Sequence, residues 1–199
     1  VAATPTVGVL VRSCRAAGAI QVSASHNPPE YNGIKLFAKD GQVLPAADGE
    51  EVVRRFKQEE PAWVDYRRVG EVEVIDDTTS DHIKLVLETV DVDCIRQLRF
   101  QVLLDSNHGA GSIMGKRLLR FLGCDVTAIG DTPDGQFAHP PEPTADNLVG
   151  VCEQVVNAQA VIGFCQDPDA DRLAIIDEKG RYVGEEYTLA MCLNHVLQS

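Results

Sequence analysis

The sequence predicts an α/β protein of two layered units with mixed, mostly parallel sheets, the first unit incomplete. Two observations carry this reading. Short apolar runs alternate along the chain with stretches of helical period. Polar turns rich in Gly, Pro, Asn and Asp separate them.

Thr4-Pro5-Thr6 suits a helix start, with Pro near the first turn and Ala-Ala-Gly18 at the far end. Ala19–Ser23 reads as a strand, followed by a polar loop and a second strand, Ile34–Ala38. Ala19, Ile20 and Val22 before the loop and Ile34, Leu36 and Phe37 after it suggest a loop held between buried strands. Asp40-Gly41 is a tight turn. Asp48–Glu59 carries Val52, Val53 and Phe56 at helical spacing, and Thr79–Val90 carries Ile83, Val86, Leu87 and Val90. Asp65–Asp77 between them is extended and irregular.

A second unit begins near Leu98. Gln101–Leu104 is a strand, Asp105-Ser-Asn-His-Gly-Ala-Gly a turn, Ser112–Leu122 a helix and Cys124–Ile129 a strand. A long loop at 130–147 leads to a helix at Leu148–Gln159. Strands at Ala160–Cys165 and Leu173–Asp177 follow, then a turn at Glu178–Gly180 and a helix at Tyr187–Leu197. The expected division is residues 1–97, residues 98–186, and a linker helix or start of a third unit at 187–199.

The 199 residues include 18 basic and 30 acidic ones, a net charge of −12, which argues against nucleic acid as a partner. No apolar stretch is long enough for a membrane span, and the first residues lack the marks of a signal peptide. The six cysteines are widely spaced and several sit in apolar runs, which reads as reduced core thiols of a cytoplasmic protein. Oligomeric state is not legible.

Two segments carry chemistry. Residues 23–37 place Ser25, His26, Asn27, Asn32 and Lys35 in and beside one polar loop. A Ser-His hydrolase is a weak reading, because adjacent side chains point apart and no partner acid is evident. A purely structural turn is a second reading. A phosphoserine site is a third: a seryl phosphate carries about −1.5 to −2 charges and needs a divalent ion nearby. Asp167-Pro-Asp-Ala-Asp-Arg172 offers one, since carboxylates at alternate positions of a bent loop can converge on a hard cation such as Mg²⁺. Arg172 adds a fork for a phosphate oxygen, and Lys35 could neutralise charge or move a proton. A solvated acidic turn is the bland rival. A Ca²⁺ EF-hand is the sharper one, with Glu178 at its twelfth position, but Arg172 replaces the required glycine and strands flank the loop.

Ser23-Ala-Ser-His-Asn-Pro, then Tyr31-Asn-Gly-Ile-Lys, followed far downstream by Asp167–Arg172, resembles the α-D-phosphohexomutases: phosphoglucomutase, phosphomannomutase and phosphoglucosamine mutase. The turn at Asp105, Pro133-Asp-Gly-Gln-Phe, Pro141-Glu-Pro-Thr and Asn147-Leu148 look like that family's second domain, so the resemblance covers nearly the whole chain. It implies that Ser25 is the phosphorylated serine and that it exchanges phosphate with a hexose 1- or 6-phosphate through a hexose 1,6-bisphosphate. Ser25, Asp167, Asp169 and Asp171 would ligate one Mg²⁺. His26 and Lys35 would position groups or move protons, Asn27 and Asn32 would order the loop, and Arg172 would meet phosphate. Ser23 is assigned no chemistry.

The family has four domains, and this chain matches part of the first and all of the second. The sugar-selecting and phosphate-binding loops of the third and fourth have no counterpart, so the chain alone is expected to be inactive. Gly184-Glu185-Glu186 reads as a helix start rather than a sugar loop. An inactive fragment or interaction module that keeps the motifs is the alternative. His82 and His195 read as surface or packing residues, Trp63 as a packing residue, His108 as part of a structural turn that could bind phosphate through backbone amides, and His139 is unassigned.

Overall fold

The computed structural model describes residues 1–58 and 61–198. Helix α1 (Thr4–Ser13) has Pro in its first turn and buries Thr4, Thr6, Gly8, Val9 and Val11. Strands β1 (Gly18–Val22) and β2 (Ile34–Ala38) form an antiparallel pair, with Gln21 opposite Lys35 and Val22 opposite Ile34. The polar loop is therefore the tip of a hairpin. Its strands are not both buried as expected: Ile20, Val22 and Ile34 are exposed, and in β2 only Phe37 is fully buried. Side chains alternate across a strand, so the exposed apolar residues leave Gln21 and Lys35 on the opposite face, toward the start of α1.

Helix α2 (Ala46–Gln58) is stitched along its surface by Glu51 pairing with Arg54 and Arg55. It buries no residue, and its expected apolar face is open, with Val52, Val53 and Phe56 exposed. Glu59, where the sequence ended this helix, lies outside the described residues. The next stretch is irregular apart from a 3₁₀ turn at Tyr66–Arg68. Trp63 does not pack: it is 87% exposed. Helix α3 (Ser80–Leu87) packs on α1, buries Ile83, and brings His82 Nδ1 within 2.9 Å of Thr6 Oγ1. Helix α4 (Val92–Leu98) was not anticipated; Asp91 caps it by accepting the Cys94 N–H.

The second unit holds β3 (Gln101–Asp105), α5 (Gly111–Phe121), β4 (Asp125–Ile129), α6 (Val149–Asn157), β5 (Ile162–Gln166), β6 (Leu173–Asp177) and α7 (Glu185–Gln198). The sheet runs β4-β3-β5-β6. β3 is parallel to both its neighbours, and β6 returns antiparallel beside β5 after the short acidic loop. Leu103, Cys165, Ala174 and Ile176 point to one face and meet Leu148, Val151 and Val155 at α6. Leu104 points to the other, toward Gly115 of α5. Burying both faces explains why β3 reads as a continuous apolar run. Of the six cysteines only Cys165 is buried; Cys14, Cys94 and Cys192 are exposed, so the expectation of core thiols holds for one residue and fails for three. Helix α7 begins at Glu185, two positions before the expected start and with both glutamates in its first turn. Among the described residues no helix is long and apolar enough to cross a membrane.

Candidate active site

Four segments converge at the junction of the two units: the hairpin tip, Lys35 on β2, the start of α1, and the acidic loop between β5 and β6. Ser25 sits in the left-handed region, at φ 52°. A non-glycine residue there is uncommon and is held by its surroundings. Here the Ser25 N–H donates to Ser23 Oγ at 3.0 Å, while both the backbone and the side-chain amide of Asn27 donate to Ala24 O. The result presents the Ser25 hydroxyl to Asp167 Oδ2 at 3.1 Å. His26 Nδ1 lies 3.4 Å from the same hydroxyl, so this adjacent pair does not point apart as expected.

The acidic loop is shaped from within and braced from behind. Asp167 Oδ1 accepts the backbone N–H groups of Asp171 and Arg172, and Ala170 turns the chain at φ 54°. The brace is the turn after β3: the Ala110 N–H donates to Pro168 O at 2.7 Å, and Ser106 Oγ donates to Gln166 Oε1 at 2.9 Å. Gly109 permits the approach, because a Cβ there would stand 2.4 Å from Pro168 O. The backbone amides suggested for phosphate at this turn are spent inside the protein, on Pro168, Gly130 and Ser106 carbonyls. His108 is likewise engaged, with Nδ1 at 3.0 Å from Thr132 O.

Asp167, Asp169 and Asp171 each offer an oxygen within 4.8 Å of the others. Asp167 and Asp169 are buried. Burial pushes the Asp167 carboxyl up to about 7, with the Arg172 N–H opposing and the charges of Asp169 and Asp171 adding to the rise. Burial also pushes Asp169 up, but hydrogen bonds from Lys35 and Thr4 outweigh it and hold this carboxyl below the usual range. Lys35 Nζ lies 2.5 Å from Asp169 Oδ2 and 2.8 Å from Asp171 Oδ2. Burial alone would lower its pKa; the two carboxylates raise it, so the ammonium form persists. Asp169 Oδ1 is buried with no hydrogen-bond partner among the described residues. Three hard oxygen donors around an orphaned buried carboxylate oxygen fit a divalent cation such as Mg²⁺.

The structure brings Ser25, His26, Lys35, Asp167, Asp169 and Asp171 together. Asn27 and Asn32 shape the loop, Asn32 by accepting the Gly33 N–H. Arg172 reaches Glu142 at 3.3 Å and Glu185 at 3.9 Å, so its fork lies between carboxylates. Glu178 stands outside the carboxylate cluster, which contradicts an EF-hand arrangement.

Three features escaped the sequence. Ser23 props Ser25, as above. Thr4 was read only as a helix start, yet its hydroxyl meets Asp169 Oδ2. His139 was unassigned, yet Nε2 meets buried Asp105 Oδ2 at 2.7 Å and Nδ1 meets Pro140 O at 2.9 Å. Fully buried Asn107 adds to this latch by donating to His139 O and accepting the Ala138 N–H, which ties the 130–147 loop to the turn after β3. For Ser23 the signal was a hydroxyl two residues before a strained position; for the other two there was none, since the partners are distant in sequence.

Fold and site together define an α/β protein of two units, with a serine–carboxylate–lysine centre where they meet. The chain belongs to the phosphoglucomutase/phosphomannomutase family: the model of that family's α/β/α domain I matches residues 1–63 and that of its α/β/α domain II matches residues 80–180. A phosphoglucomutase/phosphomannomutase of Thermococcus kodakarensis is 38% identical over 199 residues, covering 100% of this chain and 43% of that protein. A "probable phosphoglucosamine mutase" of Methanosarcina acetivorans is 36% identical, covering 94% of this chain and 42% of its own length. The crystal structure of a phosphoglucomutase/phosphomannomutase family protein from Burkholderia thailandensis superposes with a TM-score of 0.71 at 25% identity, over 91% of this chain and 38% of that one. The chain thus spans less than half the length of these relatives.

Proposed function

We propose that this chain carries the phosphoryl-transfer half of a phosphohexomutase, an intramolecular phosphotransferase that interconverts hexose 1-phosphate and 6-phosphate. The observation that carries the reading is the 3.1 Å approach of Ser25 Oγ to Asp167 within the three-carboxylate cluster. Ser25 Oγ would hold the phosphate between turnovers. A hydroxyl of the phosphosugar attacks the seryl phosphorus and loses its proton, and the bond from phosphorus to Ser25 Oγ breaks. The oxygen of Ser25 regains a proton, leaving a free serine and a hexose 1,6-bisphosphate. The reverse transfer from the other end of the bisphosphate restores phosphoserine and completes the interconversion.

Asp167, Asp169, Asp171 and Ser25 would hold one Mg²⁺, which supplies charge compensation for the transferring group. Lys35, kept protonated by two carboxylates, is suited to neutralise charge rather than to act as a base. His26 is the nearest imidazole to Ser25 Oγ and suits proton traffic there. Arg172 would turn from Glu142 and Glu185 to an incoming phosphate, whose charge competes for the same fork.

We assign residues 1–97 to the first domain, since α3 packs on α1. Residues 98–186 form the second, although α7 starts inside its expected end, and 187–199 form a linker or the start of a third, with Ser199 outside the described residues. Exposed Cys14, Cys94 and Cys192 suit a reducing compartment, the cytoplasm. The sugar partner is a hexose phosphate.

Intact-mass analysis after incubation with glucose 1,6-bisphosphate and Mg²⁺ tests the reading. One added phosphate, lost in Ser25→Ala, supports it; a phosphate that persists in Ser25→Ala removes Ser25 as its carrier. Mutase turnover by this chain alone is expected to be little or none. Robust turnover would show that these segments suffice to grip the sugar.

A further inference from the structure

We propose that Thr4 is a positioning residue of the metal centre, holding Asp169 from the first turn of α1 so that one carboxylate oxygen stays free for the cation. The proposal rests on the metal-centre reading above. Thr at a helix start ordinarily caps it with its hydroxyl. Here it does not: α1 has no side-chain cap, and its N-cap position is Ala3. The Thr4 hydroxyl is spent on Asp169 Oδ2, across 165 positions of sequence. Its backbone N–H donates to Asp169 O at 2.8 Å, so one residue grips both the main chain and the side chain of Asp169. Gln21 Oε1 lies 3.0 Å from the same hydroxyl and Lys35 Nζ 3.5 Å from it. The hydroxyl has a single proton, and the carboxylate is the stronger acceptor.

The two oxygens of Asp169 are consequently unlike. Oδ2 is engaged by Thr4 and Lys35, whereas Oδ1 is buried and among the described residues accepts no hydrogen bond, with the Asp167 carboxyl as its neighbour in the cluster. An ammonium on a flexible stem fixes a carboxylate poorly, because it follows the oxygens as they rotate. A hydroxyl on the first turn of a packed helix does not follow. Thr4 is 8% exposed, and α1 is packed on α3, β1 and β2. Thr4 thereby fixes which oxygen faces the cation, in the manner of the outer partners that orient metal ligands.

The test is calorimetric titration of the 199-residue chain with Mg²⁺ alone, beside a thermal melt of each variant. Asp169→Asn is expected to abolish binding. Thr4→Val, close to isosteric, is expected to weaken it about tenfold, and Thr4→Ser to restore most of the loss. Thr6→Val is the matched control: it makes the same change on the same helix and loses the bond to His82 Nδ1, away from the carboxylates. It is expected to lower the melting temperature while leaving Mg²⁺ affinity unchanged. Equal affinities for Thr4→Val and Thr6→Val would overturn the proposal while loss of binding in Asp169→Asn left the metal centre standing. Absence of Mg²⁺ binding by the unmodified chain, or its retention by Asp169→Asn, would overturn the metal centre and Thr4 with it. Should Thr4→Val not fold, Thr4→Ala compared with Thr4→Ser makes the same decision.

Discussion

Ser25 Oγ donates to Asp167 Oδ2 at 3.1 Å, joining residues 142 positions apart and the tip of a hairpin to the end of a parallel strand. Asp167 shows its other oxygen to the N–H groups of Asp171 and Arg172. One carboxylate therefore both shapes the acidic loop and registers the serine against it.

Ser23 is the first point of attack on that arrangement. Its hydroxyl accepts the Ser25 N–H and supports a backbone at φ 52°. Ser23→Ala is expected to cost about 1 kcal/mol of stability, the worth of one ordinary hydrogen bond. It should slow phosphate uptake from glucose 1,6-bisphosphate more than this loss of folding explains. Time-resolved intact mass reads the rate, and Ser23→Thr should retain it. Uptake at the original rate in Ser23→Ala would mean that Ser25 holds its conformation unaided.

Gly109→Ala tests the brace. Its new Cβ would stand 2.4 Å from Pro168 O, a backbone atom that cannot step aside cheaply. A loss on the order of 2 kcal/mol is expected from overpacking, with weaker Mg²⁺ binding. Gly150, on α6, has open space where a Cβ would go, and Gly150→Ala should be neutral or stabilising. Denaturant melts of the two variants give the comparison.

His139 makes stability depend on pH. Burial lowers its pKa, but the hydrogen bond and charge of Asp105 and the Pro140 carbonyl outweigh this, and the folded pKa lies above the unfolded 6.5. The charged form is thus preferred in the folded state. Its contribution is fully present below pH 6.5 and is lost as pH rises through the higher folded value. The stability difference between the unmodified chain and His139→Gln should accordingly shrink from pH 6 toward pH 9. A difference that stays constant over that range would mean that His139 is not held as an imidazolium.

Lys35→Met removes the counter-charge of buried Asp169. Breaking a pair while leaving its buried partner is costly, here on the order of 2 kcal/mol because Lys35 is part-exposed. Mg²⁺ should return more melting temperature to this variant than to the unmodified chain. Equal gains in both would mean that lysine and cation do not address the same carboxylates.

Much of the second unit could be read from the chain because its signals are local. Leu173–Asp177 is a strand with the expected bounds, as is Ile34–Ala38 in the first unit; the helix at 149–157 falls inside its expected range, and that at 111–121 starts one residue before its own. Ser25 and the three aspartates were legible because their spacing is itself chemical. What could not be read depends on distant partners. Trp63 and Phe56 are exposed although their composition suggests packing, because burial needs a facing layer and the sequence around them does not name one. Helix α4 was missed because Val92–Leu98 is too short to show a period, although its Asp91 cap was in view. Thr4 and His139 act through contacts with residues 169 and 105, which no local pattern announces.

The hairpin bears on motion as well as chemistry. Ser25 rides at its tip and Lys35 just beyond the loop, at the second residue of β2, and both meet carboxylates of the other unit's loop that begins at Asp167. A tilt of one unit against the other would draw the nucleophile and its neighbouring cation away from the carboxylates in a single stroke. The seam along which the molecule would flex is thus also its reaction centre, and a bound divalent ion would act as a rivet through it.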